Sequence, residues 1–235
     1  MNKYELVKKI ETVAPPETAD EWDMSGWIID NPDSEVNKII LCLTITNDII
    51  RQAKENHCDM IISHHPLFFV PLDFNCGINL YCAHTNLDKA TNGTTETLIK
   101  SLNLIQDEAQ PHEYLRFCTL DSEISFNVLI DKLKNVSENI RFVNRQNVQK
   151  IKKIAFCSGS GTEFWKEAKD NGADVFVTGD LKFHTALDSE IPIIDIGHFE
   201  SEIMVLKTLK EILDFPQLIF AEETSPIKIL NNFIK

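Results

Sequence analysis

Apolar positions along the chain come in two patterns, short continuous runs and stretches that recur every three or four residues, and the alternation between them begins twice. Leu6, Ile10 and Val13 share one helical face, which Pro15-Pro16 closes. From Lys38 the reading is a strand over Lys38–Leu43, a helix over Asp48–Asn56, strands over Asp59–Ser63 and Leu80–Ala83, and a helix over Thr95–Leu102. Signals weaken between 103 and 150. Leu115–Leu120 and Ile140–Val143 read as strands, while Phe126–Lys134 fits either state. The pattern then restarts with a strand over Ile151–Cys157, a helix over Glu163–Asn171, a strand over Asp174–Thr178 and a helix over Leu181–Asp188. A strand over Ile193–Ile196, one long helix over Glu200–Leu213 and a last strand over Leu218–Ala221 follow. Strand–helix alternation of this kind predicts an α/β fold with parallel sheet. It is divided into two units near Pro111, residues 1–110 and 111–235.

The two halves read as copies of one another. Lys38-Ile39-Ile40-Leu41-Cys42 stands over Lys153-Ile154-Ala155-Phe156-Cys157, and the same register carries Ala53–Asp59 onto Ala168–Asp174 without a gap. His64-His65 after the second strand then correspond to Gly179-Asp180, and, one residue out of register, His84-x-x-x-Asp88 to His198-x-x-x-Glu202. Two similar units related by an approximate two-fold would face one another across a metal-binding cleft.

Pro66 ends the apolar run before it, so His64 and His65 sit at the carboxyl end of a buried strand, where open α/β sheets bind ligands. Adjacent side chains diverge there and can serve two metals, or one metal and a substrate. Residues four apart on a helix share a face, so His198 and Glu202 can reach one ion together. Imidazole with carboxylate suits zinc, iron, manganese or cobalt better than calcium. With His64, His65 and Asp88 this makes five ligands for two divalent ions, with Glu202 or a water able to bridge them. His84 is either a further ligand or a partner that orients Asp88. Asp180 and His184 are polar residues at a helix start that the repeat sets opposite the first copy's histidines; with His84 they are the candidate proton carriers. The acidic stretch Asp20–Trp27 is a turn that packs aromatics or lines a site, and Ser158-Gly159-Ser160-Gly161-Thr162 is a candidate phosphate loop at a helix start. His57 and His112 read as solvated.

Composition narrows the function classes. A formal charge of −13 tells against sequence-independent nucleic-acid binding and against anionic membranes, but leaves a nucleotide substrate open where metal ions supply positive charge. The six cysteines, Cys42, Cys58, Cys76, Cys82, Cys118 and Cys157, form no C-x-x-C pair and read as buried thiols of a reducing, cytoplasmic protein. The start carries no apolar signal core, and no run approaches the roughly 20 residues that span a bilayer.

Four motifs together resemble the Nif-three-like dinuclear-metal family, whose members are often called GTP cyclohydrolase 1 type 2. They are S-H-H-P at Ser63–Pro66, H-T-N-L-D at His84–Asp88, G-D-L-K-x-H at Gly179–His184 and G-H-x-x-S-E at Gly197–Glu202. The resemblance implies two α/β domains, a toroidal homohexamer and two divalent metals on the positions of His64, His65, Asp88, His198 and Glu202. It also implies opening of the guanine imidazole ring of GTP with release of formate, or else a non-catalytic metal-binding scaffold. Members usually carry W-D-N-x-G-L where this chain has Trp22-Asp23-Met24-Ser25-Gly26-Trp27, and L-D-x-T where it has Leu43-Thr44-Ile45-Thr46. The segment between Pro66 and His84 is short for the family, as if a helix were missing.

Overall fold

The computed structural model describes residues 1–33, 35–66 and 77–228. Cys76 and the run 67–69 after Pro66 lie outside the described residues. The remaining five cysteines are buried free thiols.

Two compact units form, one from Met1–Gly93 with Val205–Thr224, the other centred on Thr94–Met204. The division differs from the contiguous split near Pro111, because the chain re-enters the first unit at Val205 to finish its sheet.

The first unit begins with α1 (Lys3–Val13), which Asn2 caps by accepting from Tyr4 N and which buries Leu6, Val7 and Ile10. Its Lys3 side chain is wholly buried, ion-paired with Asp30 at 2.6 Å and bonded to the Asn31 carbonyl. After β1 (Gly26–Ile29) come β2 (Ile39–Thr44), α2 (Asn47–Glu55), β3 (Met60–His65), β4 (Asn79–Cys82) and α3 (Thr85–Lys89). The strands lie in the order β1-β4-β3-β2-β10, β10 (Leu218–Phe220) being contributed by the chain's return. β10, β2, β3 and β4 run parallel, and β1 is antiparallel to β4. The near-continuous apolar sequences of β2 and β3 are what a parallel strand covered on both faces requires.

The second unit contains α4 (Thr94–Ser101), β5 (Arg116–Ser125), α5 (Phe126–Leu133), β6 (Arg141–Val143), β7 (Lys150–Phe156), α6 (Trp165–Asp170), β8 (Val175–Thr178), α7 (Phe183–Asp188), β9 (Ile193–Asp195) and α8 (His198–Glu202). Its sheet order is β5-β7-β8-β9-β6, with the three central strands parallel and the edges antiparallel. The stretch that fitted either state, α5, is helical because Phe126, Leu129 and Leu133 bury one face.

The long helix expected over Glu200–Leu213 is instead two, α8 and α9 (Val205–Leu213), and the first starts at His198. Ile203 and Met204 continue the apolar period through the break, so periodicity could not reveal it.

The repeat holds at the level of single hydrogen bonds. Asp59 Oδ2 accepts from Asn37 N and Lys38 N, and Asp174 Oδ2 accepts from Lys152 N and Lys153 N, the positions the sequence register equates. Asn56 and Asn171 each return an amide to the helix carbonyl four residues earlier. The next positions, His57 and Gly172, both take the left-handed conformation that closes a helix. In each unit an antiparallel strand, β1 or β6, borders the third parallel strand.

Candidate metal centre

In the first unit the carboxyl ends of β2, β3 and β4 bring three imidazoles together. His64 and His65 end β3, and His84 stands between β4 and α3. The ring centroids are 4.9 Å apart for His64 and His65, 5.3 Å for His64 and His84, and 5.6 Å for His65 and His84. One nitrogen of each lies within 4.8 Å of the other two.

Each ring is held through Nδ1. His64 is fully buried, with Nδ1 donating to Ala83 O at 2.9 Å and Nε2 lying 3.5 Å from Asp88 Oδ1. A carbonyl only accepts, so Nδ1 carries a proton and Nε2 is the atom turned toward Asp88. His65 Nδ1 meets Thr44 Oγ1 at 2.7 Å, and His84 Nδ1 meets Asp23 Oδ1 at 2.8 Å. Metal-binding histidines are ordinarily fixed in this way, one nitrogen tied to a protein acceptor and the other presented.

The acidic stretch Asp20–Trp27 therefore borders the cluster rather than only making a turn. Asp23 Oδ2 accepts from Thr85 N at 3.0 Å and from the hydroxyls of Thr85 and Ser25, both at 2.6 Å. Burial alone would lift this carboxyl, but the bonds from His84, Ser25 and Thr85 outweigh it and hold it well below the usual carboxylate range. Among the described contacts His84 is thus fixed by Asp23, a residue no sequence spacing singled out; only the acidic, Trp-flanked turn hinted at it. Trp22 lies edge-on to His84 with centroids 6.0 Å apart. Thr44, a departure from the family pattern, still supplies a polar partner to His65.

The second unit carries its own pair. His198 and Glu202 lie one turn apart on α8, with Nε2 3.0 Å from Oε2, as the four-residue spacing predicts. Asp180, whose φ of 55° follows Gly179, places Oδ2 at 2.7 Å from His198 Nδ1. Burial works against a charged His198, but the Glu202 and Asp180 carboxylates prevail and push it up to about 11. His184 is exposed on α7, its ring against Phe183.

Gly159 has φ +69, and a Cβ there would fall on Glu202 Oε1; its N–H donates to Ser201 Oγ at 2.8 Å. A Cβ on Gly161 would strike Cys157 Sγ. The glycines of the candidate phosphate loop thus serve close packing around Glu202 and Cys157, and the loop leads into a 3-10 turn, Thr162–Phe164, that continues directly into α6. His112 is not simply solvated: its Nδ1 accepts from Tyr114 N and Leu115 N.

Imidazole and carboxylate donors gathered in this way, with Nδ1 atoms engaged, could hold a metal ion. Among the described residues no helix is long and apolar enough to cross a membrane.

The chain is similar to known proteins along most of its length. The chain is 33% identical to a GTP cyclohydrolase 1 type 2 homolog of Clostridium perfringens over 91% of this chain and 93% of that one. It is 29% identical to a GTP cyclohydrolase 1 type 2 of Helicobacter pylori over 96% and 98%. Its fold matches the crystal structure of a Bacillus cereus protein related to NIF3 with a TM-score of 0.84 at 20% identity, covering 98% and 99% of the two chains. With a family model matching residues 1–227, the chain belongs to the Duf34/NIF3 (NGG1p interacting factor 3) family.

Proposed function

We propose that the protein is a divalent-metal-dependent hydrolase acting on a guanine nucleotide, with two ions held by His64, His65 and Asp88 of the first unit and His198 and Glu202 of the second. The observation that carries this reading is the convergence of His64, His65 and His84 with their nitrogens within 4.8 Å. When bound, such ions lower the pKa of a water to near neutrality and polarise the bond under attack. Zinc, iron and manganese all suit the donors.

The names of the relatives offer GTP and a cyclohydrolase reaction; opening of the guanine imidazole ring with release of formate is what the family resemblance implies. On this reading His64 and His65 bind through Nε2, because their Nδ1 atoms are engaged by a carbonyl and a hydroxyl. Glu202, set against His198, supplies the carboxylate. Proton transfer to the leaving nitrogen falls to His84, steadied by Asp23, with Asp180 and His184 as the carriers in the second unit. The working form is a homo-oligomer, a toroidal hexamer, as the family resemblance implies.

A second reading, a metal-binding assembly without turnover, is favoured by Met24 and Thr44, which replace the residues usual in the family's two motifs.

The test is metal content per chain of wild type and of His65→Ala, alongside formate release from GTP. About two ions in wild type, fewer in the variant, and GTP-dependent formate that vanishes in folded Glu202→Gln are expected. Bound metal without formate would favour the assembly, and protein that takes up no divalent ion would overturn both readings.

A further inference from the structure

β10 covers β2 only part of the way. Phe220 pairs with Leu41, and Ala221 N donates to Leu41 O at 2.8 Å, after which the chain leaves the sheet edge. β2 continues to Thr44, so its last N–H groups extend past the neighbouring strand. A side chain takes the place of that strand: Glu223 Oε1 accepts from Leu43 N at 2.5 Å, and Oε2 from Thr44 N at 3.4 Å. Thr44 is in turn the residue beside His65 in the β2–β3 register, its hydroxyl 2.7 Å from His65 Nδ1.

We infer that Glu223 is a positioning residue for the metal centre, a latch that holds the end of β2 so that Thr44 can orient His65. The inference rests on the metal reading above. Its physical basis is that a ring is only as well aimed as the group bonded to its far nitrogen, and here that group is a hydroxyl on a strand end that β10 does not reach. Without the latch, the Leu43 and Thr44 amides would turn toward water and carry the threonine hydroxyl with them. Outer partners of this kind typically alter metal affinity about 10–100-fold. The latch also makes the segment after β10, remote in sequence from β3, part of the centre's support.

The experiment is Zn²⁺ titration against a chromophoric chelator for full-length wild type, Glu223→Ala, Thr44→Val and the double variant. Each single change is expected to raise the dissociation constant roughly tenfold, and the double to add little to the larger single effect, since both act through one contact. Glu223→Gln keeps one acceptor, guards against a variant that fails to fold, and should fall between. A constant changed less than about twofold in both Glu223 variants, or single effects that multiply in the double, would overturn the inference. Were wild type to bind no Zn²⁺, the metal reading would fail by itself. The positioning role would still be decided by the ¹⁵N spectrum of the His65 ring in metal-free protein, which should shift in Glu223→Ala and whose constancy would overturn it.

Discussion

A Cβ at Gly159 would occupy the space of Glu202 Oε1 and come within 3.7 Å of His198 Cε1, whereas one at Gly172 would meet nothing within 4 Å. Both glycines have positive φ, +69 and +78. Alanine at either should therefore cost about 1–2 kcal/mol in stability through the left-handed backbone. Only Gly159→Ala should also displace the Glu202 carboxylate and weaken metal binding, by tenfold or more. Urea unfolding and metal titration of the two variants separate the effects, and equal metal affinities would remove Gly159 from the centre's support. Asp23 follows similar logic. It accepts from two hydroxyls, an amide and a ring. Asp23→Ala leaves those donors without their acceptor, so a loss of about 2–4 kcal/mol is expected in chemical denaturation, with His84 no longer held.

At the scale of elements, the repeat rests on one device used twice, an aspartate before β3 or β8 that ties down the start of β2 or β7. Asp59→Ala and Asp174→Ala each remove an acceptor for two amides, and should destabilise by similar amounts, roughly 1–3 kcal/mol each. Urea denaturation checks this, and a cost at one site only would mean the copies have diverged in how they are held. This aspartate pair was legible from the repeat, as were β2, β3 and β8 because buried parallel strands print as near-continuous apolar runs. The His198–Glu202 pair was legible for a related reason: a spacing of four is a property of one helix. What escaped were features fixed by distant partners. Asp23 meets His84, Glu223 meets Thr44, and β10 joins β2, all across long stretches of chain that leave no local period. The break between α8 and α9 escaped for the opposite reason, since Ile203 and Met204 keep the helical pattern intact where the backbone leaves it.

For the whole molecule, stability against pH tests the proposed metal binding. With the metal removed, His198 is raised from 6.5 to about 11 by Glu202 and Asp180. A folded-state pKa above the unfolded one means that the protonated ring stabilises the fold fully below about 6.5, and that this contribution is lost progressively as pH climbs through about 11. Metal binding needs the neutral ring, so loading should release a proton and remove this alkaline loss. Chelated protein should accordingly fall in unfolding free energy between about pH 6.5 and 11, while metal-loaded protein stays flatter over the same window. The formal charge of −13 adds a background, because further deprotonation increases self-repulsion. That background is spread over exposed groups and is screened by salt, whereas the His198–Glu202 contact at 3.0 Å, with Glu202 buried, is screened much less. Measurements at about 0.1 M and 1 M salt should therefore shrink the slope common to both forms and leave the difference between them. In Glu202→Gln, which removes the larger of the two charge partners, the chelated slope should diminish. Parallel curves for loaded and chelated wild type would mean that His198 keeps its proton in both, and would take it out of the ligand set.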